Sequence, residues 1–327
     1  MQVIKNGRRI LKFITGVDFS QFGLSFGVFM IFILALAFVP RFRTLDNIYS
    51  LIVRTVPLFS VALGQSFTML VGCIDLSIGS LVSLVTAIAS IFMASSMVLA
   101  VSLCAVAVLL FSALNGAAVA IARLNPFVGT LATMYIAKGI TLYIRPQPGG
   151  FIPRNYIAFM LAEIKGFPIA PLVWLIALVF IAWFIAFKTR LGRNLYAIGG
   201  APEIAALAGI NIVRGQILAY LFCGLFTVFA GLFLAARIGC GDPAVGDPLL
   251  LDSVGAAVLG GTLLTGGRFT PWTVLGGGFL FGLINNIFNL IGINIYWQYI
   301  FKGAIIIFLV GISYLWQLQI TRKARLL

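Results

Sequence analysis

Apolar runs of about 20 residues, long enough to cross a hydrocarbon core as helices, recur along the chain between short polar breaks. They predict ten spans: 19–40, 51–74, two within 76–122 with a turn at "MASSM" (93–97), 126–144, 169–187, 215–236, 249–267, 271–292 and 297–316. Alternation over ten-residue segments, the mark of a membrane β-barrel, is absent. The expected fold class is all-α: a polytopic membrane protein forming one transmembrane domain over 1–327. The short fifth and eighth spans are the candidates for a broken or re-entrant helix.

Two polar segments interrupt the pattern, 145–168 and 189–214, the first rich in proline and glycine. The second, "TRLGRNLYAIGGAPEIAALAGINIVR", is too polar to span and too patterned for a linker. Its Gly199–Gly200 pair is expected to break the chain. Pro202 suits a first helical turn, Glu203 the positive end of the helix dipole, and Gly209 a left-handed close. The result is a two-turn helix with Ile204, Ala205, Leu207 and Ala208 as its apolar surface. So short a helix is marginal in water, so it is expected to dock, either on a partner or on the protein's own face.

Three echoes appear in order, each displaced by five spans: "FTMLVG" (67–72) with "FTVFAG" (226–231), "FSALNG" (111–116) with "FGLINN" (281–286), and "YIAKG" (135–139) with "YIFKG" (299–303). An odd displacement inverts the second copy, so spans 2–5 and 7–10 form an inverted repeat, the architecture of many transporters. Lys138 and Lys302 become equivalent, either as structural pairs or as groups beside a solute path.

Charge changes the picture in one respect. The net charge of +14 suggests nucleic acid, but the cations cluster at span ends, so no nucleic-acid partner is expected. Thirteen Lys and Arg fall on the side of the N-terminus and of 189–214, against five on the side of 145–168. Both termini and 189–214 are therefore expected in the cytoplasm, and 145–168 in the periplasm. The four cysteines lack metal-ligand spacing and histidine is absent, so no metal site and no catalytic constellation is expected.

Asp75 follows 20 uncharged residues and precedes 47 more. A carboxylate at bilayer depth costs roughly 2.5–3.5 kcal/mol, so it demands a use. Gly72, Gly79, Ser77 and Ser80 around it suit a helix break, where Asp75 serves either as an N-terminal cap or on a solute path. Asp252, before "SVGAAVLGG", is its expected symmetry mate. Asn115 and Asn285 either line the path or join helices, as do Gln65, Ser66, Thr68 and Asn286.

The block "TRLGRNLYAIGGAPEIAALAGI" resembles the cytoplasmic loop of ribose/xylose-type sugar permeases, the membrane subunits of bacterial ATP-binding-cassette importers. "GCIDLSIGS" (72–80), "NPFVGTL" (125–131), "LDSVGAAVLGGTLLTGG" (251–267) and "YWQYIFKGAIII" (296–307) resemble that family's motifs in the same order. The resemblance implies a multi-pass inner-membrane permease for a monosaccharide or related polar solute. It further implies a separate ATPase subunit carrying ATP and Mg, a periplasmic sugar-binding protein, a second permease subunit and surrounding lipid. On these residues it implies that Leu191, Gly192, Tyr196, Ala197, Gly199, Gly200, Glu203, Ala205, Ala206 and Gly209 couple to the ATPase. No G-x-x-x-x-G-K-[ST] phosphate loop occurs in this chain, so it is not expected to be an enzyme or to hold a cofactor. Cys73 and Leu250 depart from the family's usual glycine and glutamate. An ion-coupled carrier is the alternative that the inverted repeat alone permits.

Overall fold

The polar breaks, more than the apolar runs, decide how this chain folds. The structure, a computed structural model, describes residues 38–305 throughout, with Met30, Phe32, Ile33, Leu36, Ile307 and Gly311 beyond them. After a 3-10 turn at Pro40–Arg43, helix α1 runs Leu45–Leu70, its first turn capped by Thr44, whose hydroxyl accepts the Asn47 N–H at 3.3 Å. Then come α2 (Ile78–Phe92), α3 (Met97–Ala120), α4 (Pro126–Ile144) and α5 (Arg154–Leu161). Helix α6 (Ile169–Trp183) continues through a π turn at Phe184–Lys188. It is followed by α7 (Arg190–Gly200), α8 (Pro202–Leu207), α9 (Ile212–Ile238), α10 (Asp247–Leu259), α11 (Pro271–Ile291) and a helix over 295–305, α12.

Six of these, α1, α3, α4, α6 with its π turn, α9 and α11, are long and apolar enough to cross a membrane. Burial separates centre from rim. The most apolar windows of α1 and α9 are 72% and 67% buried, against 22–28% for α3, α4 and α6, which turn most of their surface outward. At the centre α1 and α9 approach closely at Gly64, where a Cβ would stand 3.0 Å from the Cys223 carbonyl oxygen. Small residues at a crossing let two backbones meet without a hydrophobic drive between the helices, as lipid requires.

The expected repeat is present and inverted: α1–α4 correspond to α9–α12. Leu70, at the end of α1, bonds to Gly267 beside the 189–214 segment, whereas Gly239, at the end of α9, bonds to Ile152 in the 145–168 segment. The equivalent helices α1 and α9 therefore run in opposite directions.

The third and eighth spans are broken, the third beside Asp75 as expected and the eighth as one of the two candidates. Helix α2 has 15 residues and α10 has 13, so at 1.5 Å per residue they rise about 22 and 20 Å, short of a roughly 30 Å core. Non-helical chain supplies the rest of each crossing: 71–77 ahead of α2 and 239–246 ahead of α10. The eighth span is thus half-helix from 247 to 259, with turns and loop from 260, where the apolar run predicts a continuous span to 267. The short fifth span, by contrast, is an unbroken helix. The first expected span falls mostly outside the described residues, and of the tenth 297–305 is described continuously.

Both breaks are built alike. "GCIDLSIG" (72–79) aligns with "GCGDPAVG" (239–246), and the leading glycines share a left-handed backbone, φ +75° and +73°. The Asp75 carboxylate accepts the Ser77 N–H at 2.8 Å, and the Asp242 carboxylate accepts the Ala244 N–H at 2.8 Å. The symmetry mate of Asp75 is therefore Asp242. Asp252, expected in that role, sits inside α10 and caps nothing. The two breaks meet where Gly79 packs on Gly246: a Cβ on Gly79 would lie 2.8 Å from the Gly246 oxygen, and one on Gly246 would strike the Gly79 oxygen.

Candidate functional site

A backbone leaving its helix within a membrane needs replacement partners. Tyr220 donates to the Ile74 oxygen at 3.2 Å, and the Gln65 carboxamide faces both backbone polar groups of Asp75 at 3.3 Å. On the other break, Ser83 accepts the Gly246 N–H at 3.0 Å and Thr86 donates to the Asp242 oxygen at 3.1 Å. Asp75 itself is 1% exposed. One of its oxygens also takes the Ser77 hydroxyl at 2.6 Å and the Asn115 amide at 3.3 Å. Asn115 passes the network on to Thr133, which donates to it at 2.6 Å. Asp75, Ser77 and Asn115 thus tie the start of α2 to α3 and α4. Asn286 likewise joins α11 to α1 through a reciprocal amide pair with Asn47, at 2.8 and 3.2 Å.

The repeat-equivalent lysines converge on one helix. Lys138 of α4 reaches Asp247 at 2.6 Å and the Pro243 oxygen at 3.1 Å. Lys302 of α12 reaches Asp252 at 2.8 Å, with Asn285 of α11 donating to the same carboxylate oxygen at 3.4 Å. The two aspartates are five residues apart, or about 140° around α10, so α10 is pinned from two directions. The pairs differ in setting: Lys302–Asp252 is buried, whereas the Asp247 side chain is half exposed. Each adjoins a cavity. One of about 210 Å³ is lined by Gly79, Ser80, Lys138, Asp247 and Leu250. Another, of about 320 Å³, is lined by residues that include Asp252, Asn285 and Lys302. Asn115 lines neither.

Loop 260–270, which follows α10, packs against the 189–214 segment. There the sequence reading needs a second correction. Gly199–Gly200, expected to break the chain, form the last turn of α7, and the break falls at Ala201, whose φ of −158° is extended. Glycine is needed at 199 for contact instead: a Cβ there would strike the Leu70 oxygen and meet the Gly267 nitrogen at 2.5 Å. Helix α7 is capped by Thr189, whose hydroxyl accepts the Gly192 N–H at 3.0 Å, and it buries Gly192, Leu195 and Ile198 on one face. Tyr196 stacks on Phe187, with ring centroids 5.7 Å apart, and donates to the Phe269 oxygen. Burial pushes the Tyr196 phenol above its ordinary pKa, which keeps it a donor. Helix α8 follows as expected, with Pro202 in its first turn, Ala205 buried and Gly209 closing it at φ +79°. Leu191, Glu203, Ile204, Ala206 and Leu207 face outward, Ile204 at 67% and Leu207 at 89% exposure. Ala197 is half-buried and Gly200 has open space around it.

The sequence reading missed α7, Asp242 and Asp247. The repeated Gly-Cys-x-Asp-x-x-x-Gly was the available signal for Asp242. Leu195, Ile198 and Tyr196 at helical spacing were the signal for α7.

Inverted half-helices, intramembrane ion pairs and a polar shoulder of short helices define a polytopic helical membrane permease. Residues 47–310 match the family described as "Branched-chain amino acid transport system / permease component", and the chain belongs to it. It is 34% identical to the ribose import permease protein RbsC of Escherichia coli (strain K12), over 82% of this chain and 85% of that one. It is 29% identical to the D-allose transport system permease protein AlsC of the same strain, over 90% and 93%. It is 31% identical to the galactose/methyl galactoside import permease protein MglC of Salmonella typhimurium (strain LT2), over 88% and 93%. No solved structure matches it.

Proposed function

We propose that this chain is the membrane subunit of an ATP-binding-cassette importer that moves a monosaccharide or related small polar solute across a bacterial inner membrane. A periplasmic binding protein delivers the solute, and a separate ATPase subunit, holding ATP and Mg, drives the cycle. The α7–α8 shoulder is the docking element and is cytoplasmic, as are both termini; 145–168 is periplasmic. Because two ATPase sites require two shoulders, a second permease subunit, identical or related, completes the pore.

The observation that carries this reading is the continuity between the shoulder and α10. Gly199 and Tyr196 bear on Gly267 and Phe269, in the loop that continues α10, and Lys138 and Lys302 grip the two aspartates of α10. Displacement of α7 by a partner therefore reaches the cavities beside both ion pairs. The outward Leu191, Ile204 and Leu207 supply apolar surface for that partner. The relatives' named solutes, ribose, allose and galactose, support a sugar.

Reconstitution with and without the ATPase and binding protein tests the assignment. Uptake into vesicles is expected only with both partners and ATP. Uptake driven by a proton or sodium gradient, with the ATPase absent, would make the chain an ion-coupled carrier instead.

A further inference from the structure

The cavity of about 320 Å³ is lined by residues of α1, α9, α10, α11 and α12, including Arg54, Arg237, Asp252, Asn285, Gln298 and Lys302. That volume suits one small solute, at the lower end of ordinary ligand sites. Its charges do not balance: among the described residues, three cations line it against one carboxylate. Lys302 is neutralised by Asp252 at 2.8 Å. The two arginines are not neutralised: among the described residues neither forms an ion pair, and Arg54 donates only to the Ser50 hydroxyl, at 3.1 Å. Arg54 is exposed and Arg237 partly buried, and an arginine's fork of donors matches a carboxylate or phosphate.

The same cavity holds acceptors lacking donors. Asp252 is 4% exposed, and its second carboxylate oxygen has no partner; the Asn285 amide oxygen is likewise buried and unpaired. Buried acceptors left unpaired are rare because desolvation is not repaid, and a hydroxyl-bearing solute repays it. We infer that this cavity takes a hydroxylated organic anion, its hydroxyls on Asp252 and Asn285 and its carboxylate or phosphate on Arg54 and Arg237. The inference deepens the permease reading and rests on it. Arg237 stands one residue from the end of α9 that bonds to the 145–168 segment, the side on which solute is received.

The test uses the full-length permease in nanodiscs of zwitterionic lipid, without its ATPase. Two acid–alcohol pairs serve as probes: D-gluconate with D-glucitol, and D-ribonate with ribitol, each pair differing only in the terminal carboxylate. Inorganic phosphate is the bare-anion control. At least one acid is expected to raise the unfolding temperature saturably, with its alcohol binding at least about tenfold more weakly. Arg54→Gln and Arg237→Gln should each erase that preference, while Arg54→Lys and Arg237→Lys retain part of it. Equal binding of acid and alcohol, no saturable shift by either acid, phosphate matching the acids, or an unchanged preference in both glutamine variants would overturn the inference. The readout needs no ATP, so loss of the ATP requirement for uptake would leave it intact, and the reverse also holds.

Discussion

Replacing Lys302 with methionine is expected to destabilise the protein by about 3–5 kcal/mol, because it strands the Asp252 charge inside the bundle. Asp252 is 4% exposed, and its remaining partner is the Asn285 amide at 3.4 Å, a weak substitute for an ammonium at 2.8 Å. Removing both charges, as Lys302→Met with Asp252→Leu, should return most of the lost stability, since an apolar pair of similar volume pays no desolvation. The contrast lies on the other flank of α10. Lys138→Met should cost no more than about 1 kcal/mol, because side-chain exposures of 26% and 50% screen that pair. Denaturant unfolding of these three variants, of Asp252→Leu and of the wild type in one micelle checks all of this, and the Lys302–Asp252 double-mutant cycle yields the coupling energy. Equal losses for Lys138→Met and Lys302→Met would show that burial does not set the strength of these pairs.

The second large effect is functional. Gly199→Val places a branched side chain against the Leu70 backbone and Gly267, where no flexible group can yield. Overpacking of this kind costs typically about 1–3 kcal/mol, and here it also wedges α7 away from loop 260–270. ATP-driven uptake is expected to fall at least about tenfold, a barrier change of roughly 1.4 kcal/mol, while membrane insertion persists. Gly200→Val is the matched control. It lies in the same helical turn with open space around it, so near-normal uptake is expected. The two variants separate close contact from a general intolerance of substitution at the glycine pair.

That pair also marks how far sequence carries. Adjacent glycines usually punctuate a chain, and nothing local reveals that one of them is small because Leu70 passes within touching distance. The spans were legible where lipid demands uniform apolarity: the runs at 126–144, 169–187 and 271–292 became α4, α6 with its π turn, and α11 within a few residues. The break near Asp75 was legible from its glycines and serines, but that of 239–246 was left between a broken fifth and a broken eighth span, because its Gly-Cys-x-Asp signal went unread. The inverted repeat was visible in three echoes, and its most exact copy, the Gly-Cys-x-Asp segment, was overlooked because Asp252 offered a more similar apolar neighbourhood. Of the polar candidates, Asp75 and Ser77 were recognised around a helix break and Asn115 separately as a helix-joining or path residue, and the structure bonds all three to one another. The lysine–aspartate pairs were out of reach: their members stand 109 and 50 residues apart, so only the fold brings them together.

The account stands on the stiffness of the inner shoulder, and substituting residues 202–207 by glycine and serine of equal length in the intact complex tests it most directly. ATP-driven solute uptake and binding-protein-stimulated ATP hydrolysis would be measured together. Loss of uptake, with the permease still folded in the bilayer and hydrolysis no longer responding to the binding protein, is the predicted result. Wild-type uptake through the floppy replacement would contradict the claim that α7 and α8 carry the work of the ATPase to α10.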